Sequence, residues 1–200
     1  GPLTEQQQAF VDTIRDNMER MRVLVSDLQD ISRIETGQLR LEPRPTALQE
    51  ALEEALRAVE GQIEAKGQSL LVEVPPDLPP VYADPSRLTQ ILINLLSNAY
   101  KYTPDGGSIR VRAWSEGGVV RCAVSDTGIG ISPEDQERLF TKFFRADDPR
   151  VRDQPGTGLG LCIVKSLVEL QGGEIAVESR PGEGTTFTLK IPHHRKASGE

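Results

Sequence analysis

The chain has 200 residues, with 23 Lys and Arg against 30 Asp and Glu, a formal net charge of −7 and a pI of about 5.0. One sizeable domain, or a domain with an extension, fits that length, and an acidic chain without a basic stripe excludes nucleic acid as a partner. Cys122 and Cys162 are too few and too isolated for a disulfide framework or a zinc site, and no apolar run approaches the roughly 18–20 residues that span a membrane. The Gly1-Pro2 start reads as no signal peptide, so a reducing, cytoplasmic setting is expected, with no membrane contact by this stretch, either as a free protein or as the cytoplasmic part of a membrane-bound sensor.

Residues 4–36 read as one long amphipathic helix. Ile14, Met21 and Leu28 recur every seven residues, interleaved with Phe10, Leu24 and Ile31, while Val11, Met18 and Val25 widen the stripe and Asn17 interrupts it. Thr4 is the expected N-cap and Gly37 the stop. Pro43 and Pro45 mark a linker after a short extended piece at Leu39–Leu41. Thr46 and Gln49 have the spacing of a capping box, opening a helix lined by Leu48, Leu52, Leu56, Val59 and Ile63 and ended by Gly67. A strand follows at Ser69–Val74, with Leu70, Val72 and Val74 inward, then a short strand at Val81–Ala83. Asp84-Pro85 opens a second helix as N-cap and first-turn proline.

That helix ends in Asn94-Leu-Leu-Ser-Asn98-Ala-Tyr-Lys101-Tyr102. Leu88, Ile91, Leu92 and Leu95 fill one side; Asn94, Asn98 and Lys101 fall at intervals of four and three on another stripe. Carboxamide oxygens suit a hard cation such as Mg²⁺, and an ammonium suits phosphate. Ser108–Trp114 and Val119–Asp126 read as a hairpin closed at Glu116-Gly-Gly118. Ser132-Pro133 starts a short helix to about Phe140, and the polar stretch Ala146–Gln154 reads as a mobile loop. Leu159–Gln171 is helical, with Leu159, Ile163, Leu167 and Leu170 inward, and Glu174–Ser179 with Thr185–Ile191 form a last hairpin. Most of the later strands pair as hairpins, so an α+β sandwich is expected, with helices on one face of a mixed, mostly antiparallel sheet.

Four motifs stand in a specific order: the asparagine helix, Asp126-Thr-Gly128-Ile-Gly130, the Phe-rich segment around Phe143-Phe144-Arg145, and Gly156-Thr157-Gly158-Leu159-Gly160. Over residues 40–192 this order and spacing resembles the catalytic ATP-binding domain of two-component sensor histidine kinases, within the superfamily that includes gyrase, heat-shock chaperones and mismatch-repair ATPases. The resemblance implies the Bergerat-type version of the same two-layer fold. It also implies domains at 1–38 (the second helix of a dimerisation hairpin), 39–192 (ATP binding) and 193–200 (a polar tail). Arg33-Ile-Glu-Thr-Gly37-Gln-Leu-Arg-Leu resembles the exit from that second hairpin helix, and in the family two hairpins form a four-helix bundle, hence a homodimer through the N-terminal helix. The family's phosphoacceptor histidine lies on the first hairpin helix, which this chain does not contain; His193 and His194 read as solvated tail residues.

Residue chemistry, with the resemblance for Asp126, suggests roles. Asp126 contacts the exocyclic amine of adenine, and Thr185, which shares the inward parity of Phe187, Leu189 and Ile191, assists it. Gly128 and Gly130 admit the nucleotide without a Cβ in the way, and Tyr102 and Ile131 are walls for base and ribose, although a core role for Tyr102 reads equally well. Asn98 is the first Mg²⁺ ligand, Asn94 supports it, and Lys101 lies along the phosphates. Gly156, Thr157, Gly158, Leu159 and Gly160 precede a helix whose free N–H groups suit the β- and γ-phosphates, and the glycines hinge the Ala146–Gln154 loop as a lid. Arg145, or Lys142 beside it, neutralises γ-phosphate charge, with two merely exposed cations as the plain alternative. Phe140, Phe143 and Phe144 are read as core and lid anchors. ATP-hydrolysing relatives carry a Glu where Asn94 stands. An amide accepts no proton at neutral pH, so ATP and Mg²⁺ are expected as ligands and phosphotransfer rather than hydrolysis as the reaction, ending on a response-regulator receiver domain. The alternative is a nucleotide-binding regulatory module without phosphotransfer.

Overall fold

The structure is a computed structural model and describes residues 3–193. It separates into two compact units that divide between Arg40 and Leu41. The first is built on one helix, α1, Glu5–Glu35. Its N-terminus is closed by the capping box Thr4–Gln7: the Thr4 hydroxyl accepts the Gln7 N–H and the Gln7 side chain accepts the Thr4 N–H. The apolar stripe of Phe10, Ile14, Met18, Met21, Val25 and Leu28 faces solvent in the single chain.

The second unit holds a five-stranded sheet made of β2 (Ser69–Glu73), β4 (Ser108–Glu116), β5 (Val119–Asp126), β6 (Glu174–Arg180) and β7 (Gly184–Pro192). Their order is β2-β4-β5-β7-β6, parallel between β2 and β4 and antiparallel elsewhere. Inward residues alternate along the strands: Ile109, Val111, Ala113, Val120, Cys122, Val124, Phe187, Leu189 and Ile191 are buried. The helices α2 (Leu48–Ala65), α3 (Pro85–Tyr102) and α6 (Gly160–Leu170) contribute Leu48, Leu52, Leu88, Ile91, Leu92, Leu95, Ile163 and Leu167 to the same core. This is the expected two-layer α+β architecture, with helices on one side of a mostly antiparallel sheet.

β1 (Arg44–Thr46) pairs with β3 (Val81–Ala83) in a separate two-stranded sheet. The extended segment therefore lies later than Leu39–Leu41. Thr46 is not the cap of α2 either: Ala47 holds that position without a side-chain bond. The buried Thr46 hydroxyl donates to the carbonyls of Ala83 and Arg44, and Gln49 reaches the Pro75 carbonyl, so both are committed across the fold. Asp84 does cap α3, accepting from Ser86 N and Arg87 N, while its other oxygen accepts Glu42 N. Burial opposes that charge, but these bonds hold the Asp84 carboxyl below its usual range.

Two other expected core residues are exposed. Val72 lies on β2, an edge strand with a single neighbour. Leu170 is the last residue of α6, and its neighbour Gln171 turns inward instead, accepting Asp84 N and donating to the Leu167 carbonyl. His193 continues from β7 to bridge Val81 and is half-buried, whereas His194 lies outside the described residues.

Candidate nucleotide site

α3 places its polar stripe by burying the opposite one. With Leu88, Leu92, Leu95, Leu96 and Ala99 in the core, Asn94, Asn98, Lys101 and Tyr102 are half-buried on the flank that meets the glycine turns. Asn94 is fixed: its Nδ2 donates to the Gln90 carbonyl at 3.1 Å, and its Oδ1 lies 2.6 Å from where a Cβ on Gly160 would stand. Asn98, one turn on, makes no hydrogen bond from its amide to any described residue. The Lys101 ammonium is 6.0 Å from the Tyr100 ring centroid. Burial pushes the Tyr102 phenol up, and a hydrogen bond and charge from Arg145 partly offset it.

The Asp126 turn closes against the end of the same helix. Gly128 N donates to Asp126 Oδ1 at 2.8 Å, and Ile129 N donates to the Tyr102 carbonyl at 3.1 Å. A Cβ on Gly128 would come within 2.5 Å of that carbonyl oxygen. At Gly130 both backbone and space demand glycine: φ is +67°, and a Cβ would overlap the Arg180 carbonyl. Asp126 sits opposite Thr185 in the β5–β7 ladder, and Thr185 is buried with its hydroxyl 2.9 Å from Ser179 Oγ. Thr186 points away, toward Ser125. Burial raises the Asp126 carboxyl to about 6, against N–H bonds from Gly128 and Thr185 that pull it down. A carboxylate so poised is a strong acceptor wherever a ligand brings a donor to it.

The Gly156–Gly160 segment meets the other flank of α3. Gly160 is the first residue of α6 and abuts Asn94; Gly158, with φ of +71°, lies so close to Phe143 and Phe144 that a Cβ would be 2.8 Å from the Phe143 carbonyl carbon. The Thr157 hydroxyl accepts Leu159 N, and Leu159 is fully buried as the anchor of the turn. α4 (Pro133–Arg138), capped by Ser132, and the one-turn α5 (Pro149–Arg152) frame the intervening chain. The stretch Ala146–Gln154, expected as a mobile loop, therefore contains a short helix.

Arg145, the expected partner of phosphate charge, is engaged by its own loop. Its guanidinium donates to the carbonyls of Val151, Gln154 (2.6 Å) and Gly156 (3.2 Å), drawing the loop into a closed ring. Lys142 is exposed. Phe143 is 64 % exposed, in the left-handed region at φ 60°, so it anchors nothing in the core. Phe140 and Phe144 carry cations instead, Lys165 at 5.6 Å and Arg138 at 4.7 Å from their ring centroids. Between α4 and this loop lies a cavity of about 480 Å³ lined by Asp135, Arg138, Phe144, Arg145 and Arg152 among others. It shares Arg145 with the site; Asn98, Asp126 and Gly158 do not line it.

Contacts thus join the motifs pairwise: Asn94 to Gly160, Tyr102 to Gly128 and Ile129, Tyr102 to Arg145, and Arg145 to Gly156. Four further contributors were not legible as such. Ser179 Oγ accepts Ile131 N and donates to the Gly184 carbonyl, welding the Asp126 turn to the last hairpin. Gly184, at the start of β7, would overlap the Asp126 carbonyl if it carried a Cβ. Lys66 and Gln68 grip the end of α3. Among the described residues no three His, Cys, Asp or Glu side chains cluster as a metal site, and no helix is long and apolar enough to cross a membrane.

A helix bearing amides and an ammonium, closed on either side by a glycine turn, defines the class. The chain belongs to the histidine kinase-, DNA gyrase B- and HSP90-like ATPase family, whose model matches residues 83–195. It is 42% identical over 194 residues to the circadian input-output histidine kinase CikA of Synechococcus elongatus, covering 96% of this chain and 26% of CikA. It is 38% identical over 192 residues to the histidine protein kinase DivJ of Caulobacter vibrioides, covering 96% and 32%. The chain therefore spans between a quarter and a third of these two relatives. Among solved structures, full-length ShkA in complex with AMPPNP superposes with a TM-score of 0.83 at 31% identity, covering 99% of this chain and 41% of ShkA. The catalytic domain of the histidine kinase ThkA gives 0.67 at 31%, covering 76% and 98%. The family read from the four motifs is the family found.

Proposed function

We propose that this chain is the ATP-binding catalytic region of a sensor histidine kinase that passes the γ-phosphoryl group of Mg-ATP to a histidine on a dimerisation helix outside this sequence. The observation that carries the reading is the seating of α3 between the two glycine turns, Asn94 against Gly160 and the Tyr102 carbonyl against Gly128. In the reaction an imidazole nitrogen of the acceptor bonds to the γ-phosphorus, the bond from that phosphorus to the β–γ bridging oxygen breaks, and ADP leaves. The imidazole proton goes to a base on the acceptor helix, since Asn94 accepts none. Positioning and charge neutralisation are what the nucleotide domain supplies.

The residues present fit the expected ligands. The uncommitted Asn98 amide and the Asn94 Oδ1 are hard oxygen donors, and Mg²⁺ usually takes few protein ligands while keeping waters and phosphate oxygens. Bound there, the metal would neutralise phosphate charge. Asp126 accepts the adenine amine with Thr185 beside it, Ile131 and Tyr102 flank the base and ribose, and Lys101 and the Gly156–Gly160 N–H groups hold the phosphates. Arg145 keeps the lid ring closed and is near enough to Tyr102 to respond to a nucleotide. The exposed stripe of α1 supports homodimerisation in the whole protein, and a receiver domain is the onward acceptor, with residues 1–38, 39–192 and 193–200 as the working divisions.

Incubating the chain with γ-labelled ATP should leave it unlabelled, and adding a separately made histidine-bearing hairpin of a sensor kinase should label the hairpin. Label on this chain itself, or no label on any hairpin offered while ATP binds, would refute transfer.

A further inference from the structure

The C-terminal end of α3 is held by two side chains from the segment after α2 that no reading of the motifs assigns. Lys66 Nζ donates to the carbonyls of Tyr100 (2.9 Å), Thr103 (2.6 Å) and Lys101 (3.4 Å). Gln68 Nε2 donates to those of Thr103 (2.7 Å), Tyr100 (3.1 Å) and Pro104 (3.3 Å). The backbone continues the grip, with Gly106 N donating to the Lys66 carbonyl and Ser69 N to that of Gly107. The last carbonyls of a helix have no partner inside it, and a cation there also meets the negative end of the helix dipole.

What matters is which carbonyl is left. Tyr100, Lys101, Thr103 and Pro104 are taken by Lys66 and Gln68, while Tyr102 alone turns to the Asp126 loop and receives Ile129 N at 3.1 Å. Gly128 lies against that same carbonyl. The helix carries Asn98 and Lys101 at this end, and the loop carries Asp126. The separation between the metal- and phosphate-facing side chains and the base-facing carboxylate is thus set by how far α3 extends and how it is turned at Tyr102. Gln68 is itself buried, so it is a fixed strut rather than a surface contact.

We infer that Lys66 and Gln68 are positioning residues of the nucleotide site, fixing the end of α3 so that its phosphate-side groups and Asp126 grip one nucleotide together. Neither touches the nucleotide, and the inference rests on the nucleotide-binding reading above. Losing the Lys66 charge-assisted bonds, or the three neutral bonds of the Gln68 amide, is worth roughly a tenfold change in an equilibrium constant.

The test measures Mg-ATP affinity by calorimetry, and amide exchange at Ile129, in the unaltered chain, Lys66→Met, Lys66→Arg and Gln68→Met. Val120→Ala, in the core near the other end of β5, serves as a control for general destabilisation. Lys66→Met and Gln68→Met should bind Mg-ATP about tenfold more weakly and exchange Ile129 faster, Lys66→Arg should recover most of both, and Val120→Ala should change neither in proportion to its melting temperature. Unchanged affinity and exchange in the Met variants, or losses matching those of Val120→Ala, would overturn the inference. Should Lys66→Met fail to fold, Gln68→Met and Lys66→Arg decide by the same two readouts. Failure of the unaltered chain to bind Mg-ATP would overturn the nucleotide reading instead, and the inference with it; the exchange at Ile129 would then report only whether the strut exists.

Discussion

Replacing Asp126 by Asn should move stability and binding in opposite directions. The Asp126 carboxyl titrates at about 6 in the folded chain against an ordinary 3.8, because burial penalises its charge more than the Gly128 and Thr185 N–H bonds repay. A folded-state value above the unfolded one means the neutral acid favours folding. That contribution is complete below about pH 3.8 and is lost as pH rises through about 6. At about 1.4 kcal/mol per pH unit the difference is at most about 3 kcal/mol. Asparagine keeps an oxygen for Gly128 N but never ionises. The variant should therefore match the parent near pH 4 and exceed it by up to about 3 kcal/mol at pH 7 and above, read by urea unfolding across pH 4–8. Its remaining NH₂ would face the adenine amine donor to donor, so ATP should bind tenfold or more weakly. For the same reason ATP affinity of the unaltered chain should fall as pH drops below about 6. Curves that stay parallel from pH 4 to 8, or a variant less stable at pH 7, would refute the argument from burial.

Other perturbations test the separate contacts. Asn98→Ala should abolish the magnesium-dependent part of ATP affinity and leave the rest, measured by titration with and without Mg²⁺. Gly160→Ala puts a Cβ 2.6 Å from Asn94 Oδ1, which should displace that amide and weaken Mg-ATP while costing about 1–3 kcal/mol in unfolding free energy. Arg145→Met frees the carbonyls of Val151, Gln154 and Gly156, so limited proteolysis within residues 146–156 should accelerate with little change in melting temperature.

The sheet, the main helices and the family were legible because they rest on local signals. Asp84-Pro85 announces the start of α3, alternation marks the strands, and the glycine motifs stand where backbone meets backbone, as at Gly130 and Arg180. What was not legible depends on partners remote in sequence. Thr46 has the spacing of a cap, yet its hydroxyl is claimed by Ala83, 37 residues on. Val72 has the alternation of a core strand, yet its strand falls at a sheet edge, which only topology decides. Arg145 reads as a cation beside the lid, and the carbonyls it holds become visible only once the chain bends back through α5. Lys66 draws no reading from the sequence, because its three acceptors lie 34 to 37 residues away.

Calorimetric titration of this chain with Mg-ADP and Mg-GDP asks the central question directly: whether Asp126 and the asparagine helix hold one adenine nucleotide between them. Saturable Mg-ADP binding, with Mg-GDP at least tenfold weaker and the preference lost in Asp126→Asn, is the expected result. Equal affinity for the two nucleotides, or no binding of either, would contradict it.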